Sequence, residues 1–307
     1  MLNPASSLAR PIFDLTRLTF WLGFGVFLLV AVLLAFFLWR YRHRGAAGEP
    51  PQIFGNTRDE VSWIVAATLL VAFLLFMTVR VAGASSPSTE GKVPDIYVTA
   101  HQWYWSFRTP DGAASAGELH IPAGRRVLLD LTSQDVIHDF SVPQLGRKID
   151  VIPGQHARLW LEASAPGRYS GVCNEFCGAQ HAWMRFVVIA DDPATYRAGQ
   201  LTRAAGAAQS MGPAQTGARV FTQVQCGACH LVRGTPSAFD HQGALGPDLT
   251  HFASRRVMAG GVLSNTPEHV RRWLRDTQGV KPGSRMPTLP LSDTEINALT
   301  DYLEALR

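Results

Sequence analysis

Two uncharged runs constrain this chain before anything else does. From Leu18 to Trp39, and again from Val61 to Val79, no residue carries a charge. Wound as α-helix at 1.5 Å per residue they extend roughly 33 and 28 Å, enough to cross the hydrocarbon core of a bilayer. A cleaved signal peptide competes for the first run, but the run is too long for that and no small-residue cleavage site follows it, so it reads as an uncleaved anchor. The connection between the runs carries Arg40, Arg42, Arg44 and Arg58, whereas the preceding tail offers only Arg10 and Arg17. By the positive-inside rule the connection is cytoplasmic and both termini lie outside. The rest of the chain then faces the periplasm, or its equivalent, of a bacterial-type inner membrane in contact with lipid. A formal charge of +4 owes much to that Arg-rich connection. No basic patch interleaved with exposed aromatics exists, which excludes nucleic acid as a partner.

Residues 1 to 17 form a polar tail. After the second run, Gly83-Ala84-Ser85-Ser86-Pro87-Ser88 reads as a linker. Short apolar or alternating segments follow at 95–100, 102–108, 126–132, 158–162, 168–172 and 185–189, punctuated by glycine and proline. That rhythm predicts a β-sandwich or Greek-key barrel. Residues 193 to 213 are small, mixed and weakly periodic, a second linker with some helical character. In the last hundred residues, Thr266-Pro267-Glu268 has the form of a helix start, and Ser292 with Glu295 makes a capping box. Ile296, Leu299, Leu303 and Leu306 form one apolar stripe that belongs in a core.

The chemistry is concentrated between Cys173 and Met184, where two sulfurs, an imidazole, a thioether and the carboxylate of Glu175 share one short loop. Sulfur and imidazole donors select copper or zinc over hard cations, and a thioether favours copper. His138, at the end of an apolar run, offers a second imidazole. The same donors fit a tetrahedral zinc site, and Cys173 and Cys177 can close a disulfide across a short loop. A disulfide, however, leaves His138, His181 and Met184 without a use.

The run Cys173-x-Glu175-x-Cys177-Gly178-x-x-His181-x-x-Met184 occurs with His138 and with the upstream Val142-Pro143-x-Leu145-Gly146-x-Lys148-x-Asp150-x-Ile152-Pro153-Gly154. Together they resemble the binuclear copper A domain of cytochrome c oxidase subunit II. The resemblance implies a cupredoxin-like fold over 93–192, with Cys173 and Cys177 as bridging thiolates and His138 and His181 as one imidazole for each copper. It makes Met184 and the Glu175 carbonyl weak axial ligands, and gives the Glu175 side chain a magnesium at the border with subunit I. In Gln102-Trp103-Tyr104-Trp105 the family's first tryptophan is exposed above the copper and receives electrons, which assigns that role to Trp103; Trp105 reads as core. Glu60, just ahead of the second run, is most simply a helix N-terminal acid stabilised by the dipole. Its spacing to Trp63 also resembles the subunit II segment that lines a proton pathway, which makes it a proton-uptake candidate.

Cys226-Gly227-Ala228-Cys229-His230 is the attachment signature of a c-type haem, with two thioether bonds and an imidazole on the iron. Gly246-Pro247 resembles the family segment whose proline carbonyl orients that imidazole, here His230. Class I cytochromes c place their methionine in a proline-bounded loop before the last helix, which favours Met286 over Met258 as sixth ligand. Met/His ligation suits an electron donor.

These resemblances imply a membrane hairpin over 1–92, a copper A domain over 93–192, a linker over 193–213 and an all-α class I cytochrome c domain over 214–307, as in caa3-type oxidases. The implied function is subunit II of a haem-copper oxidase, passing electrons from covalent haem c to copper A and on to subunit I, where oxygen reduction drives proton pumping. Subunit III, and a soluble cytochrome c or an upstream respiratory complex as donor, are further implied partners. A copper A nitric oxide reductase and a tethered carrier or redox sensor are the alternatives. With eight Lys and Arg against eleven Asp and Glu in 93–192, and ten against eight in 214–307, the two domains carry about −3 and +2. A flexible linker of roughly 20 residues reaches about 25 Å, so weak docking and release on a tether is expected, with Arg108 near Trp103.

Overall fold

The computed structural model describes residues 3–42, 52, 54–206, 213–234 and 245–307. His43, Arg44 and the linker positions 207–212 lie outside the described residues. The chain forms two compact units, one of residues 10–87 and one that joins 3–9 to 88–307.

The first unit is a helical hairpin, α1 (Arg10–Arg40) and α2 (Thr57–Ser85), both long and apolar enough to cross a membrane. Their large apolar side chains, Phe27, Leu38, Leu69 and Val79 among them, stand exposed along the helices, the expected state of surface meant for lipid. Both helices outrun the uncharged runs 18–39 and 61–79, and the helices of about 18–39 and 61–82 expected from them. The runs mark the apolar zone, whereas helix ends are set by caps: the Asn56 side chain accepts from the Arg58 N–H at 3.1 Å, and Asp59 and Glu60 sit in the first turn of α2, where the helix dipole favours acids.

In the second unit, ten strands build two facing sheets. They are β1 (Ile96–His101), β2 (Tyr104–Arg108), β3 (Ala114–Ala116), β4 (Glu118–Pro122), β5 (Val127–Ser133), β6 (His138–Ser141), β7 (Ile149–Val151), β8 (Ala157–Leu161), β9 (Gly167–Cys173) and β10 (Arg185–Asp191). One sheet runs β3-β2-β1-β5-β8 and the other β4-β10-β9-β6-β7. The expected segments are present; β3, β4, β6 and β7 are additional, too short or too polar to announce themselves. In β10 the burial alternates strictly, the signature of a strand with one face on a core. Between the sheets Trp105, Phe140 and Phe186 pack with ring centroids 4.7–5.4 Å apart. Gly171 in β9 is dictated by this packing, because a Cβ there would lie 2.2 Å from the Phe186 ring.

The start of the polar tail is anchored on this sandwich. Ala5 N–H donates to the Gln144 carbonyl and its own carbonyl accepts from Ser164 N–H, both at 2.8 Å. Ser6 Oγ donates to the Leu145 carbonyl at 2.7 Å, and Leu8 is 1% exposed.

After α3 (Pro193–Ala204) comes a helical body of α4 (Pro213–Gln223), α5 (Pro267–Arg275), α6 (Thr277–Val280) and α7 (Asp293–Ala305). Thr266 caps α5 and the Ser292/Glu295 capping box starts α7. Ile296, Leu299, Leu303 and Leu306 are buried, as their spacing requires. α4 and α7 cross at Gly217, where a Cβ would lie 1.9 Å from the Ala298 carbonyl oxygen.

Candidate metal and haem centres

β6 and β9 deliver the first donors. His138 opens β6, Cys173 closes β9, and Phe140 pairs with Cys173 across the two strands. The loop after β9 then returns through a single 3-10 turn, His181–Trp183, into β10. Cys177, His181 and Met184 are thereby folded back over Cys173. The two sulfurs lie 3.8 Å apart. His138 Nδ1 is 3.8 Å from the Cys173 Sγ, His181 Nδ1 is 3.6 Å from the Cys177 Sγ, and Met184 Sδ is 3.8 Å from the Cys177 Sγ. The Glu175 carbonyl oxygen stands 3.2 Å from the Cys173 Sγ while its side chain is exposed. His138, Cys173 and Cys177 place their ligand atoms within 4.8 Å of one another in buried surroundings.

The hydrogen bond between the sulfurs splits their acidities. It pulls the Cys173 thiol far below its usual range, against burial, and pushes Cys177 upward with burial assisting. Burial also works against a charged His138, but the Asp135 carboxylate and the Cys173 sulfur outweigh it and raise that pKa. Asp135 accepts from His138 Nε2 at 2.9 Å, Gln102 N–H at 2.7 Å and Val136 N–H at 2.8 Å. This fixes the imidazole with Nδ1 toward the sulfurs, the support a metal-ligating histidine needs. Two sulfurs, two imidazoles, a thioether and a carbonyl converging here fit copper, and the pair of sulfurs fits two ions.

In the helical body, the Cys226–Ala228 turn follows α4 and presents Cys229 and His230. His230 Nδ1 donates to the Pro247 carbonyl at 2.9 Å, which leaves Nε2 for an iron. Burial lowers the His230 pKa and so favours the neutral, ligating form. At Gly246 a Cβ would lie 2.6 Å from the His230 ring, so only glycine fits beside it. Met286 and Met258 both contribute to the same apolar cluster. Burial pushes the Cys226 thiol up to about 11.

Trp103 is half-buried, not exposed. Its indole Nε1 donates to the Cys177 carbonyl at 2.9 Å, beside Gln102 Nε2, which donates to the same oxygen at 2.8 Å. The helical body covers it: Lys281 Nζ donates to the Trp103 carbonyl at 2.9 Å. Arg285 donates to Gln102 Oε1 at 2.9 Å and pairs with Asp135 at 3.5 Å. Gln180 Nε2 donates to the Pro282 carbonyl. Buried Glu118 accepts from Arg256 N–H at 2.7 Å and Val257 N–H at 3.2 Å. The docked arrangement carries specific contacts that the formal charge totals did not indicate, because totals say nothing of where single cations sit. Arg108 stacks on Tyr97 at 5.5 Å instead of flanking Trp103. Asp135 was detectable as the residue three before His138; Lys281 and Arg285 carry no signal, since loop cations ordinarily face solvent.

A membrane hairpin, a two-sheet sandwich carrying a Cys-His-Met cluster and a helical body carrying a haem-attachment motif define a membrane-anchored electron-transfer subunit. Residues 114–191 match the periplasmic domain of cytochrome C oxidase subunit II, and residues 214–307 match cytochrome c. Cytochrome c oxidase subunit 2 of Alkalihalophilus pseudofirmus is 35% identical over all of this chain and 90% of its own length. That of Bacillus subtilis is 30% identical over all of this chain and 91% of its own. Quinol oxidase subunit 2 of Bacillus anthracis is 32% identical over 64% of this chain and 70% of its own. The chain belongs to the cytochrome c oxidase subunit II family. Membership makes it a two-pass membrane protein with a periplasmic domain, implies copper A and haem, and implies a complex with subunit I.

Proposed function

We propose that this chain is the electron-input subunit of its oxidase: it takes up electrons at a covalent haem c and hands them, by way of copper A, to subunit I for oxygen reduction coupled to proton pumping. Cys173 and Cys177 would hold the two coppers between them, with His138, His181, Met184 and the Glu175 carbonyl completing the set. Cys226 and Cys229 would bond the haem, with His230 and Met286 on the iron and Pro247 orienting His230. When bound, these groups supply reversible one-electron redox chemistry.

The residues of the chain provide the path and the geometry. The observation that carries the reading is Trp103, whose indole is hydrogen-bonded to the Cys177 carbonyl and whose own carbonyl is held by the helical body. Copper ligands, tryptophan and haem-ligand loop thus form one bonded series. Asp135 holds His138 in the ligating orientation, and burial of Cys173, Cys177 and Met184 excludes water from the sulfurs. The complete donor set favours a cytochrome over a quinol as electron source.

The domains are taken as 1–92, 93–192, 193–213 and 214–307. Both termini are placed on the periplasmic side, a topology supported by the anchoring of residues 3–9 on the sandwich. The exposed Glu175 carboxylate is assigned to a magnesium at the subunit I border, Glu60 to proton uptake, and subunit III and an external cytochrome or upstream complex to the wider assembly. Cys173→Ser tests the reading. In the oxidase complex it should abolish copper binding and oxygen uptake while haem c remains reducible by the donor; undiminished uptake without copper would refute it.

A further inference from the structure

Lys281 is 4% exposed, an unusual place for an ammonium. Its acceptors are two main-chain carbonyls, Trp103 at 2.9 Å and Ala259 at 3.0 Å. Among the described residues no carboxylate lies within ion-pairing distance of it. Burying an ammonium without a carboxylate partner is costly, and three segments converge to accommodate this one. They are the loop that leads to Met286, the 259–261 turn of the helical body, and the Trp103 backbone of the sandwich. Gly260 makes the approach possible, since a Cβ there would lie 2.7 Å from both Lys281 Nζ and the Trp103 oxygen. Its own carbonyl accepts from Arg185 N–H at 3.0 Å, which fastens the turn to β10.

The loop carrying Lys281 is internally hydrogen-bonded. Gln278 Nε2 donates to the Ser284 carbonyl at 2.8 Å and the Met286 carbonyl at 2.7 Å, and Gln278 Oε1 accepts from Gly283 N–H at 2.9 Å. Lys281 and Met286 thus belong to one hydrogen-bonded loop. On the far side, Trp103 leads directly to the Cys177 carbonyl.

We infer that Lys281 is a positioning residue for electron transfer, locking the haem domain in a single orientation on the copper domain through the Trp103 carbonyl. The inference rests on the electron path proposed above. Orientation matters because misplacement of a reacting group by about 1 Å can cost 10²-fold in rate. A latch removes the search over orientations that a loose tether would impose.

The test uses the full chain in complex with subunit I. Haem c is reduced by a flash and its reoxidation followed at several viscosities, while hydrogen exchange is measured over residues 256–261. Lys281→Met should slow the first-order transfer about tenfold or more and make it viscosity-dependent. Exchange in 256–261 should accelerate, the haem and copper spectra should stay unchanged, and Lys281→Arg should recover part of the rate. Lys281→Gln carries the same test should the methionine variant not accumulate. Wild-type transfer and exchange in these variants would overturn the inference, as would faster exchange with unaltered transfer. Absence of haem-to-copper transfer in the unmodified protein would instead refute the electron path, and exchange over 256–261 would still report the latch.

Discussion

Replacing Asp135 by asparagine isolates the support given to His138. The side chain keeps its size and one acceptor oxygen, which can stay on His138 and the Val136 N–H, while the Gln102 N–H, bonded to the other carboxylate oxygen, loses its acceptor. What is lost is the charge behind the 2.9 Å bond to His138 Nε2, a residue with 0% exposure, together with the pairing to Arg285 at 3.5 Å. Hydrogen bonds to ionised groups contribute about 1.5–3 kcal/mol against about 0.5–1.5 for neutral ones, so roughly 1 kcal/mol is forfeited at His138. Loss of a residue that orients a metal ligand costs about 10–100-fold in affinity, and the conservative exchange belongs at the lower limit, about tenfold or 1.4 kcal/mol. A carboxylate partner also raises imidazole basicity and favours the oxidised metal, so the copper potential should rise. Competition against a copper chelator and a redox titration on the purified full chain measure both quantities. Unchanged affinity together with unchanged potential would refute the role given to Asp135.

Gly217→Ala should force α4 and α7 apart, since its Cβ would meet the Ala298 carbonyl at 1.9 Å; destabilisation of about 1–3 kcal/mol is expected, and an unchanged denaturant midpoint by haem absorbance would contradict it. Leu8→Ala should free the tail from the sandwich, at about 2–5 kcal/mol for a fully buried leucine, seen as faster proteolysis within residues 3–9. At Glu162 burial alone would raise the carboxyl, but hydrogen bonds from Ser7 and Arg126 hold it below its ordinary value of 4.5. Its contribution is thus complete above pH 4.5 and lost as pH falls through the lower folded value. Peptic cleavage of the tail should increase across that acidic window in the native protein, and Glu162→Gln should remove this dependence.

Much of this architecture is legible in the sequence because it is written in local patterns. Charge-free length specifies the hairpin helices, spacing specifies the capping box at Ser292 and Glu295, and the attachment motif specifies Cys226, Cys229 and His230. The Cys173 to Met184 loop is legible for the same reason, with five donors close in sequence. His138 is only a candidate until the family pattern is added, because a parallel β1–β5 pair and the β6–β9 pairing bring it in from a distance. What could not be read are contacts made by ordinary residues over long separations. Leu8 against the sandwich, Glu118 beneath residues 256–257, and Lys281 on Trp103 have no local signature. Trp103 illustrates the limit: the motif identifies the residue, yet nothing near it shows that the cytochrome body of the same chain covers it.

The most direct test of electron input through this chain is an EPR and optical spectrum of the purified full-length protein, with copper and haem counted per chain. The account predicts a delocalised two-copper signal from the Cys173–Cys177 pair, together with a low-spin haem c that remains bound after denaturation because Cys226 and Cys229 hold it covalently. A normally folded protein that binds zinc alone, or that carries neither copper nor covalent haem, would contradict it.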